Sequence, residues 1–264
     1  MSVADPRLAR YADALIDAWD HAGSLAPITA SDPAFDIPAA YEVLLDIESR
    51  RIAAGWRPVG RKIGFTNRTI WPRYGVHVPM WARIWEHTVH SARDGRGTLP
   101  LAPVVRPRIE PEIVFGLRDG VAADADIAPG FEIVQSHFPA WKFGAPDCTA
   151  AFGLHGWLMV GERVRLDDAI RARLAELLPR FEVTLYRGDR VIDRGVGSNV
   201  LDGPAHALRH LARVLESQPR APRLAAGEIV TTGTITDAWP VAPGETWRSD
   251  YGELGLRGVE LTFE

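Results

Sequence analysis

The chain has 264 residues, 46% hydrophobic and 24% charged, with a net charge of −4. That is the make-up of an ordinary soluble globular protein, one large domain or two small ones, able to bury roughly three-quarters of its unfolded surface. It excludes a nucleic-acid binder built on a basic stripe with interleaved aromatics, and no apolar run approaches the roughly 18 residues that a membrane helix needs.

In chain order, the start from Met1 to Arg7 lacks the basic-then-apolar pattern of a signal peptide. Leu8, Tyr11, Ala12, Leu15 and Trp19 then follow helical spacing, with Pro6 near the first turn. Ser24 to Asp32 reads as a connector. A second helix is expected from near Asp36 and Pro38, burying Tyr41, Leu44, Leu45 and Ile52 and stopping at Gly55. From residue 60 the pattern changes to short strands and turns. Tyr186 to Val191 reads as a hairpin whose Arg-Gly-Asp is turn chemistry, not an adhesion signal. Two helices interrupt the strands. One is capped near Asp167 and carries Ile170, Leu174 and Leu177; the other starts at Pro204 and carries Leu208, Leu211, Ala212 and Leu215. Leu256 to Phe263 suggests a final strand. The order lacks regular βαβ alternation, which argues against a Rossmann fold or TIM barrel, and Gly195-Val196-Gly197 lacks the rest of a dinucleotide fingerprint. An α+β fold is expected, a mixed β roll or barrel with a helical N-terminal cap over residues 1–58. The lone Cys148 allows no intrachain disulfide, has no evident activating partner and fits a reducing cytoplasm.

The most informative residues are three glutamates. Glu110 and Glu112 lie in Arg108-Ile109-Glu110-Pro111-Glu112-Ile113-Val114-Phe115, and Glu132 lies in Gly130-Phe131-Glu132-Ile133-Val134. Side chains alternate on a strand, so Glu110 and Glu112 share a face while Ile113 and Phe115 point to the other. Two bare carboxylates about 4 Å apart repel by about 4 kcal/mol at an effective dielectric near 20. If the two strands are neighbours, the cluster needs protons or a cation, and oxygen ligands with vacant positions suit Mg²⁺ or Mn²⁺. The bland reading is the wet face of an antiparallel sheet.

Lysine usage adds a second signal. Among 30 Lys+Arg the only lysines are Lys62 and Lys142. A retained lysine is a candidate for proton transfer, which a guanidinium does not perform; the bland reading is a genome that encodes Arg preferentially. Lys62 sits on a short strand running into a Gly turn and is favoured for a site role. Lys142, in an aromatic loop-like stretch, is open between lining a pocket and snorkelling over an apolar wall. His206 and His210, four apart on a helix, are better explained as a solvated face than as a metal pair. His155 is divided between a pocket role and a core histidine bonded to backbone. The Trp71, Trp81 and Trp85 region is a candidate lid or oligomer contact.

These residues also resemble a known family. Lys62-Ile63-Gly64-Phe65-Thr66-Asn67 resembles the K-I-G-x-T-S segment of the 2-hydroxypenta-2,4-dienoate hydratases and 2-oxohex-3-enedioate decarboxylases, within the fumarylacetoacetate hydrolase-like superfamily. Glu110-Pro111-Glu112 matches the family's E-x-E metal pair, and Phe131 to Ser136 its L-E-I-I/V-D-S segment, whose glutamate is the third ligand. Asp147 falls at the aspartate of a D-T-x-A-D-N run, Gly197 to Pro204 resembles a G-x-x-V-L-G-x-P loop, and Thr232-Gly233-Thr234 resembles a late S-G-A/T turn. The matches run in order from about residue 60 to residue 245. Departures include Asn67 for serine, Gln135 for aspartate, Ala151-Phe152 for Asp-Asn, Thr232 for the late serine, and His155 at a position usually small.

The resemblance implies a fumarylacetoacetate hydrolase-like catalytic domain over residues 59–264. It implies a metal-dependent lyase of aromatic-compound catabolism that adds water to an unsaturated 2-oxo acid, with decarboxylation as the runner-up because both pass through one dienolate. Glu110, Glu112 and Glu132 are then the metal ligands. Lys62, its pKa lowered by cation and burial, and Asp147 are the acid/base candidates. Thr66, Ser136, His155, Thr232 and Gly233 are the expected substrate contacts. A homo-oligomer is implied by the resemblance alone, with association with a homologous or pathway enzyme a further option. The superfamily also contains C–C hydrolases of acylpyruvates, for which His77, His87 and Glu86 are the nearest His–Glu candidates. A non-catalytic partner subunit that keeps the fold is the remaining reading.

Overall fold

The computed structural model describes residues 5–118, 125–166 and 168–264. Helix α1 (Pro6–Asp20) starts where the Asp5 carboxylate accepts from the Arg7 N–H, and it buries Ala12, Leu15 and Ala18. The expected connector contains a short helix, α2 (Ile28–Ser31). Helix α3 (Ile37–Ala53) is capped by Asp36, whose carboxylate accepts from Ala39 N–H at 2.9 Å. Its buried face is Ala40, Val43, Leu44 and Ile47, whereas Ile52, expected inside, is 47% exposed. The phase of the helix turns Ile52 outward because the inner stripe runs through Val43 and Ile47.

Strand β1 (Pro58–Gly64) is followed by the single-turn helix α4 (Trp71–Tyr74), then β2 (Met80–Trp85), β3 (Val89–Ser91) and β4 (Arg96–Leu99). The two glutamate strands are β5 (Arg108–Leu117) and β6 (Ala125–Val134), each longer than the sequence pattern suggests. Next come α5 (Ala145–Ala150), β7 (His155–Val160), β8 (Val164–Arg165) and α6 (Asp168–Leu177). The expected capping residue Asp167 lies outside the described residues. The hairpin β9 (Glu182–Arg187) and β10 (Arg190–Val196) forms as read, with Gly188 in the turn. Helix α7 (Pro204–Ser217) buries Leu208, Leu211 and Leu215. The chain closes with β11 (Ile229–Thr231), β12 (Trp239–Pro240), β13 (Thr246–Asp250) and β14 (Glu260–Phe263).

The larger sheet runs β2-β1-β11-β5-β6-β7-β3, with β12 beside β5 and β8 beside β6; the smaller runs β10-β9-β13-β14-β4. Ile109, Phe131, Ile133 and Met159 of the first meet Leu185, Trp247, Leu261 and Phe263 of the second in one apolar cluster. Ile113 and Phe115 pack with α7 residues Leu208 and Leu211, leaving Glu110 and Glu112 on the opposite face as alternation requires. Helices α1 and α3 join Phe138, Ala150, Ala151 and Phe152 in a further cluster, so they back the wall formed by α5 and its exit turn. The expected α+β roll is what forms. Among the described residues no helix is long and apolar enough to cross a membrane.

Candidate active site

Strands β5 and β6 pair antiparallel in a register that sets Glu110 directly opposite Glu132 and Glu112 opposite Gly130. Directly opposed residues point to the same face, and the three glutamates each offer a carboxylate oxygen within 4.8 Å of the others. Glu112 and Glu132 are fully buried and Glu110 is half-buried. Tyr251, brought in after β13, donates its hydroxyl to the Glu112 carbonyl at 2.7 Å, with the Gly130 carbonyl at 3.2 Å, and so pins this register. Lys62 comes from β1, and its Nζ lies 2.9 Å from Glu132 Oε2. Gly64 and Gly153 leave room for its stem: a Cβ on either would come within 3.4 Å of it.

One buried ammonium faces three carboxylates, and the electrostatics follow from that imbalance. Burial pushes the Glu132 carboxyl up, but the Lys62 ammonium and then His155 outweigh it and hold it at about 2. Glu110 rises to about 7, driven by burial, opposed by Lys62 and reinforced by Glu132. Glu112 sits well above the usual carboxylate range because of burial, Glu132 and Glu110. For Lys62 the balance is that of the cluster without a cation. Burial lowers its pKa, yet the surrounding carboxylates raise it further, so the ammonium is favoured. Glu112 Oε1 is buried without a hydrogen-bond partner, and Glu132 Oε2 has its ion pair to Lys62 but no aligned hydrogen bond. Buried oxygens left bare beside excess negative charge are what a hard divalent cation satisfies, so the residues fit Mg²⁺ or Mn²⁺.

The remaining expected site residues are held differently. His155 is fully buried, but it contacts Glu132 and Thr88 rather than the pocket. Gly233 gives its N–H to Glu112 Oε2 at 2.8 Å, and Thr232 Oγ1 donates to the Ile113 carbonyl, so these donors are committed within the protein. Thr66 Oγ1 likewise donates to the Thr232 carbonyl at 2.7 Å. Ser136 Oγ closes a local turn with the Phe138 backbone. Asp147 accepts from Gly144 N–H and from the backbone and hydroxyl of Thr29, tying α2 to α5 and not lining the pocket. Lys142 is exposed. Trp81 and Trp85 are core residues of β2, not a lid, and burial pushes the Cys148 thiol pKa up. His77 stacks edge-on against Trp71, His87 packs on Trp56 and Glu86 ion-pairs with Arg57, and none of the three lines the pocket at the carboxylates.

A narrow pocket opens onto the cluster, lined by Lys62, Glu110, Phe65, Tyr74, Trp141 and Thr234 among others. Phe65, Trp141 and Leu154 of its wall hold φ of 54°, 56° and 64°. Non-glycine residues in this region cost of order 1–3 kcal/mol each, the kind of strain that concentrates at functional sites. Sequence reasoning missed these aromatics; their nearness to the Lys62 and Lys142 segments was the available signal. Arg108, two residues before Glu110 on the same face, is half-buried with its guanidinium 4.3 Å over Trp141 and 2.5 Å from the Tyr74 hydroxyl.

No protein-family model matches the chain. Among curated proteins, a 4-oxalocrotonate decarboxylase of Pseudomonas sp. is 28% identical over 252 residues, 92% of this chain and 93% of that protein. A 2-hydroxyhexa-2,4-dienoate hydratase of Comamonas testosteroni is 28% identical over 264 residues, 94% of this chain and 95% of that protein. Among solved structures, the 4-oxalocrotonate decarboxylase of Pseudomonas putida G7 complexed with magnesium and adipate superposes with a TM-score of 0.86, covering 100% of this chain and 99% of that one at 23% identity. The fumarylpyruvate hydrolase of Pseudomonas aeruginosa in complex with Mn²⁺ and pyruvate gives 0.57, covering 78% and 88% at 12% identity. The chain is a homologue of the dienoate hydratases and 4-oxalocrotonate decarboxylases, and its fold is that of the fumarylacetoacetate hydrolase-like proteins.

Proposed function

We propose that this protein is a divalent-metal-dependent lyase of aromatic-compound catabolism acting on an unsaturated 2-oxo acid, with hydration of a 2-hydroxypenta-2,4-dienoate-like substrate as its reaction. The observation that carries the reading is three converging buried carboxylates with a single ammonium among them. Glu110, Glu112 and Glu132 would hold the cation, which when bound supplies Lewis acidity to the carboxylate and 2-oxo head of the substrate. Lys62, which lines the pocket, would donate or accept a proton at the substrate carbon that faces it. Phe65, Tyr74 and Trp141 would hold the alkene segment and exclude water from the rest of the pocket. Gly233 N–H, bonded to Glu112, orients a ligand rather than the substrate.

A second reading, decarboxylation of 2-oxohex-3-enedioate, is favoured by Arg108. Its partners among the described residues are the Tyr74 hydroxyl, the Ala238 carbonyl and the Trp141 ring, not a hydrogen-bonded carboxylate. Arg108 stands behind Tyr74 and Trp141, which line the pocket, so a distal carboxylate reaching past those rings would meet this guanidinium. Both substrates should be offered to the Mg²⁺- and Mn²⁺-loaded protein, following ultraviolet absorbance and released CO₂; turnover of neither rejects both readings. A cytoplasmic location is supported by the single buried cysteine and a symmetric oligomer by the resemblance alone. Light scattering tests the latter, and co-purification of a homologous chain would point to a partner subunit.

A further inference from the structure

His155 opens β7 opposite Val134, just past a register shift between Ile133 and Val134 of β6. Val134 and Glu132 are two apart on their strand, so the imidazole lies on the face that carries the carboxylates. Its Nδ1 is 2.8 Å from Glu132 Oε1 and its Nε2 is 2.8 Å from the Thr88 hydroxyl. Thr88 is anchored in turn: its hydroxyl donates to the Trp85 carbonyl at 2.8 Å and accepts from Trp85 N–H at 3.3 Å. Glu132, His155 and Thr88 are all at most 1% exposed. The ring does not line the pocket, so it has no direct reach to a substrate there.

A glutamate has three side-chain torsions, and the last is broad, so a carboxylate without a partner behind it swings over a wide range of orientations. Here Oε1 is taken by His155, and Oε2, the atom beside Lys62, is left for the cluster. We propose that His155, braced by Thr88, is a positioning residue that locks the orientation of the Glu132 carboxylate within the cluster and thereby sets the affinity of the site for its divalent cation. The inference rests on the reading of these glutamates as cation ligands and deepens it. The physical basis is pre-organisation: a ligand oxygen already aimed loses less freedom when the ion arrives, and outer partners of metal ligands act in this way.

The test uses the full chain, stripped of metal, with Mg²⁺ and Mn²⁺ affinities measured by calorimetry and the metal-free melting temperature measured alongside. Asparagine places an amide near the Nδ1 position and glutamine near Nε2, so H155N keeps the contact to Glu132 and H155Q keeps only the one to Thr88. Expected are losses of about 10–100-fold in metal affinity for H155Q and H155L, about threefold or less for H155N, and an intermediate loss for T88V. A role in packing alone would lower the metal-free melting temperature of every variant and leave affinity unchanged, which overturns the proposal. Should H155L fail to fold, the near-isosteric pair decides: equal affinities of H155N and H155Q overturn it. A wild-type chain that binds neither ion overturns the ligand reading and this inference with it. Normal wild-type binding with unaltered variants removes only the positioning role.

Discussion

Strand β1 carries two buried ionic groups back to back. On one face Arg61 lies opposite Arg83 of β2, and the two guanidinium groups are held by Glu228, 2.5 Å from Arg61 and 3.4 Å from Arg83, and by Glu48, 3.2 Å from Arg83. On the other face Lys62 meets Glu132, with Glu110 and Glu112 beside it. The formal charge of the first group is zero; the second, fully ionised, carries an excess of two negative charges. A balanced buried network ties β1 and β2 to α3 and needs nothing further. An unbalanced one is held together only by protons, or by a cation that takes their place. Burial alone does not mark a functional site; burial with a charge deficit does.

The sharpest way to break this contrast is E112Q. It should weaken Mn²⁺ and Mg²⁺ binding and lower metal-dependent turnover by about 10²–10³-fold or more, yet leave the metal-free melting temperature at pH 8 unchanged or raised, since a neutral amide there neither takes up a proton nor buries a charge. K62M should lower kcat by about 10²–10⁴-fold, the usual value of a positioned acid or base, with the ion still bound. E228Q should do the opposite, costing about 3–5 kcal/mol in urea denaturation because it leaves two facing guanidinium groups undercompensated, while metal affinity is kept.

A smaller effect is expected with pH. Glu110 is raised from 4.5 to about 7 in the folded chain, so its contribution is fully present below about pH 4.5 and is lost as pH rises through about 7. Glu132, depressed to about 2, contributes above 4.5 and loses that contribution only as pH falls through about 2. The metal-free melting temperature should therefore decline between pH 5 and 8 from the Glu110 and Glu112 side of the cluster. Saturating Mg²⁺ should flatten that decline, with proton release on binding near pH 7. A pH-independent melting curve without metal, or binding without proton release, contradicts the charge-deficit picture.

The carboxylate triad was legible because strand alternation is a local rule and β5 and β6 are neighbours joined by one short connection. Lys62 was legible through rarity. His155 could be seen only as a departure at its position. Its contact to Glu132 depends on a register shift that no local pattern records. Asp147 matched a motif in order but is a clamp, because its partner Thr29 lies 118 residues earlier. Ile52 was misplaced because the apolar stripe of α3 is wider than its buried part. The pocket aromatics were hidden for a different reason. Phe65 and Trp141 reach the cavity from backbone held at positive φ, where neither helical nor strand periodicity applies.

The two lysines have a practical consequence. Of its two lysines, the folded protein leaves Lys142 open to an acylating reagent, next to the Trp141 wall of the pocket. The other, Lys62, is sealed at 2% exposure. Slow acylation of Lys62, read by peptide mass, would thus time the breathing of the carboxylate cluster, and a bound cation should lengthen that clock.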